Sequence, residues 1–282
     1  MITVIIPAHN EGTVIARTLR AMLDGAESGE LDVIVVCNGC TDDTAAVVRS
    51  FGPLIRVIET KIASKTHALN LGEHAAAGFP RVYVDADVII SIRTIRILAR
   101  SLQCEGVLAV APTATFDLSG CSWPVRACFD IRSRLPSARE GFGGSGVYAL
   151  SAEGRERFRE FPTLTADDGF VRIQFQPAER ETIGSAHSMV FPPRSIKDLI
   201  LTKTRAHFGS FELETLFPEL WKKRGESNKK SLFRLFRNPR LWAKLTVYCL
   251  VAAIAKYRAK SRLRRAKTYW ERDNTSRTIA DA

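Results

Sequence analysis

The first ninety residues switch repeatedly between two hydrophobic periods, and few folds accommodate such a pattern. "ITVIIPA" (2–8) reads as a buried strand. "GTVIARTLRAML" (12–23) reads as a helix with Val14, Ile15, Leu19, Met22 and Leu23 on one side. "DVIVVC" (32–37) is a second strand, followed by a helix over "TDDTAAVVRSF" (41–51). Thr41 is expected to cap that helix, with Asp42 and Asp43 in its first turn. "LIRVIE" (54–59) is a third strand, "KTHALNLGEHAAAG" (65–78) a helix ending at Gly78, and "RVYVDAD" (81–87) a fourth strand. This βαβαβαβ order predicts an α/β, Rossmann-like, mainly parallel sheet with helices on both faces. Near-continuous Val and Ile suit strands covered on both sides. Ligands of such sheets gather beyond the carboxyl ends of the strands. Pro7 to Asn10, Cys37 to Gly39 and Asp85 to Asp87 are therefore expected near one another.

The net charge of +11 over 282 residues is concentrated near the C-terminal end. Residues 222–272 hold 17 Lys and Arg against two acids, +15, leaving −4 for the remainder. A main domain over 1–221 and a basic, partly apolar helical tail over 222–282 are expected from that partition. The opening "MITVIIPAHNEG" has neither a basic n-region nor a long apolar run, so no signal peptide is expected there. Of six cysteines, Cys37 and Cys40 make a lone C-x-x-C. No second pair completes a tetrahedral zinc site, and the pair is read as structural or incidental. The pattern fits a reducing cytosol without requiring it. "GFGGSG" (141–146) is expected to be a loop that needs backbone freedom, and only weakly suggests phosphate binding. No G-x-G-x-x-G follows the first strand, which argues against a dinucleotide fingerprint.

The fourth apolar run ends in two acids, Asp85 and Asp87. If the strand stays extended, both point to one side, where ionised carboxylates repel. A hard divalent cation, Mg²⁺ or Mn²⁺, relieves that conflict and takes only one or two carboxylates from protein, leaving room for a diphosphate. A solvated turn with two surface acids is the plain alternative.

Five motifs in order, "VIIPAHNE" (4–11), "VVCNGCTDDT" (35–44), "KTHALNLG" (65–72), "YVDADV" (83–88) and "TADDGFV" (165–171), resemble those of glycosyltransferase family 2, which has the GT-A fold. The resemblance covers roughly residues 1–210. It implies a donor pocket bordered by Pro7, Asn10 and Glu11, with Asn38 where the family's usual Asp-Asp-Gly-Ser contacts the base. An amide both donates and accepts, so Asn38 suits a base edge, although the departure to Cys37-Asn38 loosens nucleotide identity. Lys65 is implied to face the diphosphate, Asp85 the ribose and metal, and Asp87 to ligate the metal directly. Asp168 falls at the position of the catalytic base, which takes the proton of an attacking hydroxyl. Arg205 and His207, in "LTKTRAHFGSFEL" (201–213), fall where relatives carry a basic helix over the phosphates. Inversion at the anomeric carbon, a UDP-sugar by default, and a hydroxyl acceptor in cell-envelope, polysaccharide or glycolipid synthesis are implied by the same likeness. The Gln-x-x-Arg-Trp signature of processive synthases is missing from the sequence, which argues for one sugar per encounter.

In "RLWAKLTVYCLVAAIAKY" (240–257), Lys244 and Lys256 bound only 11 uncharged residues, against the ~20 that a spanning helix needs. Basic residues interleaved with Phe233, Leu235, Phe236 and Trp242 suit a helix lying on an anionic membrane, which places the protein on the cytoplasmic face of the plasma membrane. The rivals are packing of this segment on the domain, pairing with another subunit, and electrostatic contact with nucleic acid. No nucleic-acid recognition motif accompanies the basic run, so no nucleic-acid partner is expected. Two other classes use the same features differently: a nucleotidyltransferase, which releases pyrophosphate, and a non-catalytic membrane scaffold with a nucleotide-binding fold.

Overall fold

The computed structural model describes residues 1–225 and 228–264. Their contacts divide into two units. The first comprises Met1–Thr115, Gly141–Thr163 and Gln174–Val190, and the second Phe116–Glu140, Leu164–Ile173 and the chain from Phe191 onward.

The first unit is built on a sheet of β1 (Ile2–Ala8), β2 (Leu31–Asn38), β3 (Ile55–Thr60), β4 (Arg81–Val84), β5 (Ile89–Ile90), β6 (Ala109–Phe116), β7 (Val147–Leu150) and β8 (Arg180–Val190). The strand order is β3-β2-β1-β4-β7-β6-β8-β5. β3, β2, β1 and β4 run parallel, as the alternation of periods predicts. β7 is antiparallel to both β4 and β6, and β5 to β8. The crossovers are α1 (Ile15–Leu23), α2 (Thr44–Arg49), α3 (Lys65–Ala75) and α4 (Ile92–Ser101).

Alternate residues of one strand serve opposite faces. Val33, Val35 and Cys37 join a core with Ile15, Leu19 and Met22 of α1 and Val48 of α2. Ile34 and Val36 turn the other way and pack with Ala68 and Leu71 of α3. Helices therefore cover both faces. α1 buries Ile15, Thr18, Leu19 and Met22, one helical stripe, while Leu23 is only partly covered. α3 approaches β1 so closely that a β-carbon on Gly72 would lie 2.5 Å from Ile5 Cγ2.

Several boundaries differ from the sequence expectation. α1 begins at Ile15, three residues later than expected, with Val14 as its N-cap. β4 stops at Val84, and Asp85–Asp87 form a turn closed by Val88 N–H donating to the Asp85 carbonyl at 3.1 Å. α2 begins at Thr44 with Asp43 as its N-cap and no acid in its first turn. Thr41 does not cap it; the Asp42 carboxylate instead accepts from Thr44 N and Oγ1, a turn that competes with earlier helix entry. α3 ends at Ala75, three residues short of Gly78, whose N–H donates to Thr3 Oγ1.

The second unit is helical: α5 (Trp123–Ser133), α7 (Asp167–Gln174, entering the first unit at its last residue), α8 (Ile196–Leu216), α9 (Pro218–Trp221), α10 (Lys229–Leu235) and α11 (Trp242–Arg264); the short α6 (Ala152–Glu156) belongs to the first unit. Val125, Cys128 and Phe129 of α5, Leu199 of α8 and Val251 of α11 share one core. Ile131, Leu241 and Leu245 form a second, with Leu232 and Leu235 of α10 against it. The described part of the basic segment is thus packed on helices from earlier in the chain. No helix among the described residues is long and apolar enough to cross a membrane.

Candidate active site

In the first unit the ends of β1, β2 and β4 and the start of α3 meet through a connected set of polar contacts. The Lys65 ammonium lies 2.7 Å from an Asp85 carboxylate oxygen, with the two side chains 27% and 39% exposed. This pair joins the first residue of α3 to the turn after β4. Ser64 caps α3 by accepting from His67 N–H at 3.3 Å, which fixes where Lys65 leaves the backbone. The Asp87 side chain is partly exposed, and its backbone carbonyl accepts from Arg17 Nη2 at 3.1 Å. Thr18 Oγ1 donates to the Ala86 carbonyl at 2.9 Å, so α1 holds the D-x-D turn from one side.

The glycine-rich segment holds it from the other. Asp85 N–H donates to the Gly146 carbonyl at 2.8 Å. Gly146 has φ +64°, and a β-carbon there would meet Val88 Cγ2 at 2.5 Å and an Asp85 carboxylate oxygen at 3.2 Å. Ser145 is fully buried, with its hydroxyl oxygen 2.8 Å from the Gly141 carbonyl and 2.7 Å from that of Val147, so that its single proton serves one or the other. Sequence reasoning identified this run as a loop but not as the backing of the two acids. Arg17 and Thr18 were missed as well, because their role is visible only once α1 lies beside the turn.

The other residues expected around a donor form the rim. Asn10, with φ +52°, accepts through Oδ1 from Thr41 N–H at 2.7 Å and from Thr41 Oγ1 at 3.3 Å. Glu11 is buried, and its N–H donates to Thr44 Oγ1 at 2.7 Å. Pro7 is buried within β1, beyond the three residues of β1 that pair with β4, where its missing N–H breaks no bond to that strand. Asn38 is 3% exposed, and with its amide turned so that nitrogen faces the Ala8 carbonyl and oxygen the Ser64 N–H, it donates to the first at 2.8 Å and accepts from the second at 3.3 Å. That amide ties β1, β2 and the cap of α3 together. His9 Nδ1 donates to the Asn38 carbonyl at 2.6 Å.

Cys37 and Cys40 are free thiols in this rim. Cys40 accepts from Asn10 N–H at 3.4 Å. Hydrogen bonding from Cys37 holds the Cys40 thiol down to about 6, assisted by Asn10 and Thr44 against the opposing effect of burial. Donating that hydrogen bond, together with burial, pushes Cys37 up.

The second unit carries Asp168, Arg205 and His207. Asp167 and Asp168 open α7, as expected, with Asp167 buried and Asp168 partly exposed. The Asp168 carboxylate accepts from Gly169 N–H at 2.7 Å. Glu212 of α8 accepts from Thr165 N–H at 2.7 Å and steadies the approach to α7. Arg205 and His207 lie on α8; burial, then the Lys203 and Lys256 charges, push the His207 imidazole down.

Two oxygen-rich side chains on one turn suit a hard cation rather than zinc or copper. Among the described residues no cluster of three or more His, Cys, Asp or Glu is placed to hold a metal. Such a cation would therefore need further ligands from phosphate and water, the manner in which Mg²⁺ is usually held.

Residues 3–139 match the family described as glycosyl transferase family 2. That segment, just under half of the chain, is what is similar to glycosyl transferase family 2. It is 34% identical over 119 residues to the 4,4'-diaponeurosporenoate glycosyltransferase of Staphylococcus aureus, 39% of this chain and 31% of that protein. The chain thus matches about a third of the length of the curated relatives. Among solved structures, it is similar to the mannosyltransferase PcManGT from Pyrobaculum calidifontis in complex with GDP-Man and Mn²⁺, with TM-score 0.63 at 20% identity over 95% of this chain and 88% of that one. It is also similar to glucosyl-3-phosphoglycerate synthase from Mycobacterium tuberculosis in complex with Mn²⁺, UDP and glucosyl-3-phosphoglycerate. There the TM-score is 0.55 at 20% identity, over 76% and 79% of the two chains. These likenesses establish the GT-A fold that the motifs led us to expect.

Proposed function

We propose that this protein is a metal-dependent, inverting glycosyltransferase that moves a sugar from a nucleoside diphosphate to a hydroxyl acceptor. The observation that carries the reading is the D-x-D turn itself. Asp85 and Asp87 stand just past β4, clamped by α1 and the glycine-rich loop, with Lys65 beside them. The fold neighbours solved with GDP-Man, UDP and Mn²⁺ support the same reading.

Asp87 and Asp85 would hold a divalent cation, which supplies charge neutralisation for a departing diphosphate. Lys65, now on Asp85, can turn to a phosphate once that carboxylate is otherwise neutralised. The acceptor oxygen forms its bond to the anomeric carbon while the bond from that carbon to the phosphate oxygen breaks, its electron pair leaving on the diphosphate. Asp168 takes the acceptor's proton. Attack opposite the leaving group inverts the centre. Arg205 and His207 are assigned to the donor's phosphates. A membrane-proximal acceptor at the cytoplasmic face is part of the same proposal, supported by the basic segment and its exposed Phe233, Phe236 and Trp242.

Incubation with a panel of nucleotide sugars and Mn²⁺ or Mg²⁺ tests the reading. Release of a nucleoside diphosphate is expected, whereas release of pyrophosphate would indicate a nucleotidyltransferase. Asp87→Ala should weaken metal-dependent donor binding at least tenfold. Asp168→Asn should spare donor binding and lower transfer by about 10²–10⁴-fold, the usual contribution of a general base. Wild-type transfer by Asp168→Asn would remove Asp168 from the reaction, and metal-dependent nucleotide binding without turnover of any donor would favour a scaffold.

A further inference from the structure

The C-x-x-C that glycosyl transfer leaves unused sits where the ends of β1 and β2 meet. Cys37 lies opposite Ala8 in the β1–β2 register, and the Cys40 sulfur stands 3.4 Å from the Ala8 carbonyl oxygen. A turn through Gly39, at φ +61°, brings the chain back, so both cysteines stand beside one residue. They share a core cluster, Cys37 within it and Cys40 packed against it. Cys37 is 2% exposed, whereas Cys40 is partly open to solvent.

The Cys40 sulfur also fastens the rim. It accepts from Asn10 N–H at 3.4 Å, and the next residue, Thr41, donates its N–H to Asn10 Oδ1 at 2.7 Å. The two thiols differ as an attacking and a resolving cysteine must. Cys40, held down to about 6 by the Cys37 hydrogen bond, is the nucleophile at neutral pH, and it is the one that solvent reaches. Cys37 keeps its proton because it donates to Cys40 and is buried. A disulfide holds its sulfurs about 2.0 Å apart, so closing one draws the Cys40 sulfur away from Asn10 N–H.

We propose that Cys37 and Cys40 form an oxidation site for hydroperoxides, closing to a disulfide that loosens the donor rim and weakens nucleotide binding. The Cys40 thiolate attacks one peroxide oxygen. An S–O bond forms and the O–O bond breaks, its electron pair leaving on the other oxygen, which takes a proton to become water or an alcohol. Cys37 then attacks the same sulfur; the S–S bond forms, the S–O bond breaks, and hydroxide leaves with the Cys37 proton as water. The two thiols together lose two electrons and the peroxide gains them. Conversion of Cys40 to a sulfenic acid removes the charge that keeps Cys37 protonated, which favours the second step. The proposal rests on the donor-site reading for the nucleotide consequence alone.

Peroxide treatment of the full chain carrying Cys104→Ser, which removes an exposed thiol, tests it. Tryptic peptide 21–49, in which Cys37 and Cys40 are the sole cysteines, should become lighter by two hydrogens, and dithiothreitol should reverse the change. Calorimetric titration with Mn²⁺ and UDP or GDP, whichever the reduced chain takes, should show at least tenfold weaker binding after oxidation and recovery on reduction. In Cys40→Ser the affinity should be the same before and after peroxide. Amide hydrogen exchange at Asn10 and Thr41 should quicken at least tenfold in the oxidised chain, a readout that needs no nucleotide. An unchanged peptide mass, a gain of two oxygens that dithiothreitol does not reverse, or a disulfide that leaves nucleotide affinity within twofold would overturn the proposal. Should the reduced chain bind neither nucleotide, the donor reading falls by itself, and exchange rates within twofold in the two forms would then overturn the loosened rim.

Discussion

A β-carbon at Gly146 would press on both Val88 and the Asp85 carboxylate, at a backbone φ of +64° that side chains rarely adopt. Gly146→Ala therefore has to move the D-x-D turn or strain its own backbone, at a cost of about 1–3 kcal/mol. We expect a lower melting temperature together with at least tenfold weaker Mn²⁺-dependent nucleotide binding. Gly184→Ala is the control, since a β-carbon there meets nothing within 4 Å. Equal nucleotide affinity in the two variants would mean that the loop does not set the turn. The thiols of the rim make a second residue-scale case. With its thiol held at about 6, Cys40 is mostly thiolate at pH 7, whereas an ordinary thiol becomes so only above about 8.5. Its alkylation rate should rise through pH 6 and be level above pH 7. Cys37→Ala removes the main hydrogen-bond donor, so the midpoint should move up and the rate at pH 7 should fall, as followed by mass spectrometry of the Cys40 peptide. An unchanged midpoint would break the link between the two thiols.

Elements are joined in the first unit by a buried charge cluster that the hydrophobic pattern could not announce. Glu73 of α3 is 3.6 Å from Arg81 Nε of β4 and 2.8 Å from Arg155 Nε of α6, and it accepts from the buried Tyr83 hydroxyl at 2.7 Å. Removing one member leaves the others charged and dry. Glu73→Ala should cost about 3–5 kcal/mol in urea unfolding, far more than Glu59→Ala, whose partner Arg49 is solvent-exposed. A loss below 1 kcal/mol would show that the arginines find other partners. The parallel strands were legible because Val and Ile runs such as 33–36 must be covered on both faces. β5, β6, β7 and β8 were not, because antiparallel pairing across long connections leaves no period of its own: Val147 pairs with Val84 from more than sixty residues away. Asp85 and Asp87 were legible as a pair, but the turn that presents them was not, since it depends on the Gly146 carbonyl and on Thr18. The placement of the Asn38 amide between Ala8 and Ser64 was not legible either, since it appears only when the strand ends and the α3 cap are adjacent.

At the scale of the whole molecule, charge and apolar exposure coincide. The sequence carries +15 over 222–272 against −4 elsewhere, and Phe233, Phe236 and Trp242 in that segment are 73%, 45% and 57% exposed. α11 turns Leu245, Val251, Ala255 and Ala259 inward, so packing and surface attachment are not rivals along it: one side is satisfied by protein while Leu250, Ile254 and Tyr257 stay outward. An anionic bilayer would attract the lysines and arginines by about 1 kcal/mol each near its surface and accept the aromatic rings at its interface. The full chain should therefore float with vesicles containing anionic lipid, stay behind with neutral ones, and be released as salt shortens the reach of the charges. Phe233→Ser with Phe236→Ser keeps the charge but removes two rings. It should lower the partition coefficient about tenfold, since roughly 1.4 kcal/mol corresponds to each factor of ten. Equal recovery in the soluble fraction with both kinds of vesicle would defeat surface attachment and leave the exposed rings for another copy of the chain to cover, which sedimentation of the same protein without lipid would then reveal as a dimer.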